Sequence, residues 1–219
     1  MINQKNMESG RSMIEMLGVL AIIGVLSVGG IAGYSKAMLK YKVNKTVDMV
    51  TQTSSNIRIA FGNQRNYKGL KNADVINAYS IVPQEMYATR GNGENGNTYQ
   101  TPWGDPMLIY DSPRAAADDT DRNRAFIITM PNIPAAACAE LVLLDWGSAS
   151  GSGLIAMSID KGNAVTSSLD AIYDGQTDQA TTTIHMPGGG DQKGFPITPS
   201  EAVTLCGVTG NTSLSWKFY

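Results

Sequence analysis

The feature that most constrains this chain of 219 residues is an apolar run near its amino terminus. Residues 13–34 carry a single charge, the carboxylate of Glu15. A helix rises about 1.5 Å per residue, so a run of this length reaches roughly 33 Å and can cross the hydrocarbon core of a bilayer. A carboxylate at the head of such a span is costly unless a dedicated partner neutralises it. We therefore expect a membrane-spanning helix in which Glu15 has a function.

The helical pattern continues beyond the apolar run. After Leu39, apolar residues recur at three-, four- and seven-residue spacing, at Val43, Val47, Val50, Ile57 and Phe61. Such a stripe indicates a helix with one buried face, and Gly62 followed by Asn63 is a typical stop signal. The sequence therefore predicts one helix of about 50 residues, far longer than usual, which is apolar all round in its first half and amphipathic in its second.

Charge is unevenly distributed, although the formal net charge is only −2. Residues 36–71 hold eight basic residues and one acid, Asp48, whereas the residues after 71 hold seven basic and sixteen acidic ones. One interpretation is a solvated helix face beside lipid head groups. The other is attraction between the basic stem of one copy and the acidic head of a neighbour. The near-neutral balance argues against a nucleic-acid-binding protein.

The residues around the start of the apolar run resemble the class III signal peptide of type IV prepilins and pseudopilins. A short polar leader ends in Gly10, Glu15 follows, and the apolar helix comes next. The resemblance implies that a prepilin peptidase cuts between Gly10 and Arg11, and that Arg11 becomes the N-methylated first residue. Most prepilins carry phenylalanine or methionine where this chain carries Arg11.

Two other interpretations of the amino terminus are an ordinary signal anchor with an incidental carboxylate and a secretory signal peptide. A secretory signal is cleaved after its apolar core, whereas the glycine here precedes it. The positive-inside rule by itself favours a cytoplasmic stem, since Lys36, Lys40, Lys42 and Lys45 follow the span. The prepilin resemblance and the pair of cysteines favour the opposite orientation, with the head outside the cytoplasm.

Cys138 and Cys206 are the two cysteines of the chain, and both lie in the part expected to be exported. An even cysteine count in an extracytoplasmic domain indicates a disulfide bond. A loop of this length stabilises a domain by about 4 kcal/mol in the chain-entropy model. The other interpretation is two buried thiols in a cytosolic protein.

The rest of the chain has an α+β pattern. Residues 72–80 are predicted to form a short helix, and residues 134–146 a helix or turn. Strands are expected over residues 107–110, 125–130, 181–186 and 214–219. Polar and glycine-rich stretches predict loops over residues 91–97, 115–124, 148–153 and 188–190.

This layout resembles the type IVb pilins. The shared marks are Val82 and Pro83, the PWG motif at Pro102, Trp103 and Gly104, the strand that precedes Cys138, and Cys206 near the carboxyl end. The resemblance implies the pilin fold, in which a long amino-terminal helix packs on an antiparallel sheet. It divides the chain into a leader (1–10), a helix (11–62, with 13–34 as membrane span and filament core) and a head (63–219) with a carboxyl-terminal disulfide region.

One constellation resembles the beginning of a calcium loop. Asp119, Asp121 and Asn123 have the required spacing, but Arg124 and Met130 stand where the loop needs glycine and glutamate. We expect a solvated acidic loop here, with no metal and no cofactor.

The sequence thus predicts a structural protein, the precursor of a bacterial type IV pilus subunit, and not an enzyme. His185, the only histidine, lies on a predicted strand without a nucleophile motif. The precursor is expected in the inner membrane with a periplasmic head, and the mature chain in a surface filament. After cleavage, Glu15 of one copy is expected to neutralise the amine of Arg11 on another.

The expected partners are other pilin subunits, a prepilin peptidase, the inner-membrane pilus assembly machinery and, before assembly, the membrane. No nucleic acid is expected. Two alternatives remain open: a minor pilin or type II secretion pseudopilin, and a membrane-anchored adhesin or binding module that never polymerises.

Overall fold

The computed structural model describes residues 8–71, 73–87, 99–114, 123–146, 153–161, 183–185 and 196–219. The chain forms two compact units, Met1–Tyr41 and Lys42–Tyr219. Helix α1 (Glu8–Ala60) is 53 residues long and supplies all of the described part of the first unit. It begins inside the expected leader and ends just short of the predicted residue 62.

In the second unit, helix α1 buries one face. Val43, Val50 and Ile57 are at most 3% exposed. Val47 is partly buried, and Phe61 is buried just past the helix end. The stripe predicted from the sequence is therefore confirmed, because side chains at 3.6-residue spacing lie on the same side of a helix.

Six strands form one sheet in the order β1-β2-β3-β6-β4-β5. Their bounds are β1 Tyr99–Gln100, β2 Pro106–Ser112, β3 Ala125–Pro134, β4 Leu154–Lys161, β5 Thr183–His185 and β6 Asn211–Phe218. Every pairing among these strands is antiparallel, and β6 lies between β3 and β4. The predicted combination of a long helix and an antiparallel sheet is confirmed.

The register of the strands gives the two faces of the sheet different chemistry. One face carries the apolar pairs Phe126 with Phe218, Ile128 with Trp216, and Met130 with Leu214. The other carries a buried polar stripe of Thr129, Ser158, Asp160, Ser213 and Ser215. The Thr129 and Ser215 hydroxyls lie 2.8 Å apart, and Ser158 donates to Asp160 over 3.3 Å. These bonds offset the cost of burying the polar groups of Thr129, Ser215, Ser158 and Asp160.

Aromatic rings join the apolar face to the carboxyl end of helix α1. Ring centroids lie 5.6 Å apart for Phe61 and Tyr67, 4.9 Å for Tyr67 and Phe126, and 5.5 Å for Phe126 and Phe218. The Arg58 guanidinium lies 5.5 Å from the Phe218 ring centroid. Burial raises the pKa of the Tyr67 phenol above its ordinary value, because the ionised form would lose its hydration there.

Trp103 joins the same helix to the sheet at a second place. Its indole Nε1 donates to Thr46 Oγ1 over 2.9 Å. Lys42 Nζ lies 5.4 Å from the centroid of the indole ring, within the range of a cation–π contact. The backbone carbonyl of Trp103 accepts from Asn132 Nδ2 over 3.3 Å. The PWG motif therefore connects helix α1 with strand β3.

Asn132 lies at an irregularity of β3, where the register with β6 shifts between Met130 and Ile133. Its φ is +63°, a left-handed value that asparagine tolerates better than most residues. Its side chain also accepts from Asn211, the first residue of β6. The bulge thus directs one side chain to both Trp103 and the neighbouring strand.

Three elements of the head, strands β1 and β4 and helix α4, are absent from the sequence-based prediction. Strand β4 begins with the apolar run Leu154–Met157, which does not alternate with polar residues, and residues 153–160 are all buried. Helix α4 (Pro199–Cys206) begins with a capping box formed by Thr198 and Glu201. That signal is present in the sequence, since threonine is followed three residues later by glutamate.

The remaining elements have the predicted type, helix or strand, but their bounds differ from the predicted ones. Helix α2 (Ala73–Ala78), helix α3 (Ala135–Val142), and strands β2, β3 and β6 overlap their predicted ranges. A 3₁₀ turn, Gln84–Met86, follows the VP motif. Strand β5 falls within the predicted 181–186. The predicted loops over 91–97 and 188–190, and most of those over 115–124 and 148–153, lie outside the described residues.

A disulfide bond links Cys138 on helix α3 to Cys206 at the end of helix α4, across a sequence separation of 68 residues. The predicted pairing is confirmed. The start of α3 also lies beside the residues that follow α4, since the Ala135 amide donates to the Gly210 carbonyl over 3.0 Å. The bond therefore connects two short helices that flank the central strands β3 and β6.

We expect Cys206→Ser to lower the free energy of unfolding of the head by about 4 kcal/mol, because the denatured chain regains the entropy of an open loop. Wild-type protein should migrate differently on a non-reducing gel before and after treatment with dithiothreitol. The Cys206→Ser protein should show no such difference. An unchanged melting temperature in the variant would contradict the expected stabilisation.

We expect Thr46→Val to destabilise the head by about 1–3 kcal/mol, because it leaves the buried indole N–H of Trp103 without its acceptor. Thr51→Val is the matched control, since Thr51 lies on the same helix with its side chain exposed. Thermal unfolding followed by near-ultraviolet circular dichroism measures both variants in the same detergent. Equal melting temperatures for the two variants would show that this hydrogen bond does not stabilise the head.

Candidate functional site

The first unit presents an apolar helix with no cover of its own. We call residues 13–34 of helix α1 the apolar stem. Thirteen large apolar side chains of the stem are between 53% and 76% exposed. By length and composition, α1 is the one helix among the described residues able to cross a membrane, although a signal sequence has the same properties. A surface of this size and character marks an interaction site.

Glu15 lies near the beginning of the apolar stem, and its side chain is exposed. It is the only charged residue between Arg11 and Lys36. Gly10 and Arg11 lie in the first turn of helix α1, and Arg11 stands four positions, about one turn, before Glu15. The structure thus brings the three predicted amino-terminal residues together on adjacent turns of one helix. Cys138 and Cys206 belong to the other unit.

Basic residues in the amphipathic part of helix α1 contact the head. Lys45 forms an ion pair with Glu85 in the turn after the VP motif. Asn56 donates from Nδ2 to the carbonyl of Ile81, just before that motif, over 3.0 Å. Val82 of the motif is 1% exposed. These bonds hold residues 81–86 against helix α1. The contact of Lys42 with Trp103 holds the PWG motif against the same helix.

Sequence reasoning missed the roles of Lys42, Lys45 and Thr46. The charge count identified an excess of basic residues over residues 36–71, but it gave no partner for any single lysine. A signal for Thr46 exists in the sequence, because Thr46 and Thr53 occur at helical spacing within the apolar stripe and are both fully buried. A buried hydroxyl needs a hydrogen-bond partner, which Thr46 finds in Trp103, whereas the Thr53 hydroxyl makes no hydrogen bond to a described residue.

Within the described residues, no group of three histidine, cysteine or carboxylate side chains could hold a metal ion. Asp119 and Asp121 of the calcium-like spacing lie outside those residues, while Asn123 forms a turn with φ +65°. The backbone of His185 belongs to strand β5. What the described residues do provide is an exposed apolar helix followed by a disulfide-bonded head.

Comparison with known proteins agrees with this description. Two curated proteins, each described as the major structural subunit of bundle-forming pilus, are 28% identical over 215 residues. One comes from Escherichia coli O111:H- and the other from strain E2348/69 of E. coli O127:H6, and each alignment covers 97% of this chain and 94% of the relative.

Among solved structures, the type IV pilin TcpA from Vibrio cholerae El Tor is 16% identical, with a TM-score of 0.43 over 82% of this chain and 99% of that chain. The family model described as Bundlin matches residues 36–194, which is most of the chain. The chain therefore belongs to the Bundlin family.

Proposed function

We propose that this protein is the precursor of a structural subunit of a bacterial type IV pilus, and a major subunit rather than a minor pilin or pseudopilin. The observation that carries the proposal is the exposed apolar stem with Glu15 at its beginning. Membership of the Bundlin family supports it, as does the description of both relatives as major pilus subunits. The proposed role is structural, with no catalysis, no cofactor and no nucleic acid.

The subunit is first inserted in the inner membrane, where lipid covers the apolar stem and the head lies in the periplasm. A prepilin peptidase then cuts between Gly10 and Arg11, and Arg11 is N-methylated. The inner-membrane assembly machinery transfers the subunit to a filament on the cell surface. There the stems of neighbouring copies cover one another, so the same residues serve as membrane span and as filament core.

Glu15 acts when the subunit moves from the membrane into the filament. Cleavage creates a positive amine at Arg11, and the filament core offers no water to solvate it. A buried charge is tolerated when it is paired and hydrogen-bonded. The carboxylate of Glu15 on one copy neutralises the amine on the next, which also sets the stagger between the two stems.

We expect mass spectrometry of protein recovered from cells with an active prepilin peptidase to give a chain that begins at methylated Arg11. Cells without the peptidase should give a chain that retains residues 1–10. The two masses differ by the leader and one methyl group, so the measurement needs no structural assumption. Intact leader in peptidase-positive cells would favour a membrane-anchored module instead.

We expect Glu15→Ala to be inserted and cleaved normally but to lower filament yield more than about tenfold, because an unpaired buried charge costs about 3–5 kcal/mol. Asp48→Ala is the matched control, since Asp48 is an exposed carboxylate on the same helix outside the stem. Sheared filaments measured against total membrane-bound subunit give the yield. Normal filaments from the Glu15→Ala strain would rule out the pairing.

A further inference from the structure

Four lysines follow the apolar stem, and the structure gives them different surroundings. Lys42 and Lys45 belong to the second unit, where Lys42 lies over the Trp103 ring and Lys45 pairs with Glu85. Lys36 and Lys40 belong to the first unit, and both side chains are exposed. Lys42 and Lys45 thus have partners in the head, whereas Lys36 and Lys40 lie on the exposed part of the helix directly after the apolar stem.

We propose that Lys36 and Lys40, together with Tyr34 and Tyr41, bind phospholipid head groups at the outer face of the inner membrane. We call these four residues the interfacial belt. The proposal rests on the proposed function in one respect, the membrane-inserted precursor. It adds a binding surface, a ligand class (the phosphate of an anionic phospholipid) and a role, which is to fix the depth of the stem in the bilayer.

The four residues begin at the edge of the hydrocarbon core, with Tyr34 and Lys36 within the head-group layer and Lys40 and Tyr41 a few Å beyond it. When residues 13–34 fill the hydrocarbon core, Tyr34 lies at its edge. At about 1.5 Å per residue, Lys36 lies roughly 3 Å beyond that edge, and Lys40 and Tyr41 roughly 9–10 Å beyond it. The head-group layer is about 5–7 Å thick on each side of a bilayer. The long alkyl chain of a lysine can extend back toward this layer, so that its ammonium group meets the phosphates.

The side chains suit this location in chemistry as well as in depth. Tyr34 and Tyr41 are 65% and 61% exposed. They are seven residues apart and so lie on the same side of the helix, and tyrosine is enriched where a membrane meets water. Lys36 and Lys40 are four residues apart and share another side. No acidic residue occurs from residue 16 to residue 47, so the belt has uniform positive charge along the helix.

A second copy of the chain is the other possible partner, because the head is acidic. The observations favour lipid, since an exposed tyrosine pair combined with lysines directly after a span is the pattern of a membrane interface rather than of a purely ionic contact. An acidic head of a neighbour would explain the lysines alone. The two partners are separated by the following measurement.

The full-length precursor is reconstituted in phosphatidylcholine vesicles that contain spin-labelled phosphatidylglycerol or spin-labelled phosphatidylcholine. Electron paramagnetic resonance gives the fraction of each lipid immobilised on the protein, and hence the preference for the anionic lipid. We expect wild-type protein to prefer phosphatidylglycerol. The preference should fall by up to about fivefold for each lysine removed in Lys36→Gln and Lys36→Gln/Lys40→Gln, and it should weaken as salt is raised.

The matched control is Lys68→Gln/Lys71→Gln, which removes two exposed lysines of the head. It should keep the wild-type preference. An unchanged preference in Lys36→Gln/Lys40→Gln would overturn the lipid assignment. If that variant instead lost filaments in cells, the lysines would be assigned to the acidic head of a neighbouring copy.

Vesicle flotation in the same samples separates this proposal from the proposed function. All three variants and the wild type should float with the vesicles, since the apolar stem is unchanged. Wild-type protein that does not float would overturn the membrane-inserted precursor and the belt together. Normal flotation with no lipid preference would overturn the belt alone.

Discussion

The apolar stem cannot remain in water, and the rest of the structure depends on that constraint. Thirteen large apolar side chains are each more than half exposed over residues 13–34. At about 25 cal/mol for each Å² of apolar surface, leaving such a helix in water is strongly unfavourable. The stem needs lipid or other apolar helices around it. The single carboxylate within it, Glu15, needs a cation for the same reason.

Beyond residue 41 the same helix satisfies a different requirement. Its apolar residues narrow to one stripe, and that stripe is buried in the head. Polar contacts make the attachment specific, because Thr46 accepts from Trp103 and Asn132 binds the carbonyl of Trp103. Hydrophobic burial has no direction, whereas these bonds join Thr46 of the helix to Trp103, and Trp103 in turn to strand β3.

The head combines two ways of holding distant parts of the chain together. In the centre, β6 pairs with β3 on one side and with β4 on the other, although it is the last strand in the sequence. At one end of these strands, the disulfide bond joins α3 to α4 across 68 residues. A covalent bond of this kind suits a subunit that functions outside the reducing cytoplasm, as the proposed function requires. Its loop encloses residues 153–161 and 183–185, so strands β4 and β5 belong to the region that the bond closes.

The sequence by itself determined the parts of this protein that depend on local periodicity and composition. The length of the apolar run, the stripe at Val43, Val50 and Ile57, and the Cys138–Cys206 pair could all be predicted, because each needs only spacing or residue counts. Glu15 stands out as the single charge of the apolar run, whereas Gly10 and Arg11 are implied by the resemblance to prepilin signal peptides. Tertiary structure decided what depends on contacts between distant segments. It placed strand β4 beside β6, gave Thr46 the indole of Trp103 as its partner, and paired Lys45 with Glu85. Such pairings are set by packing across the fold and leave no periodic trace in the chain.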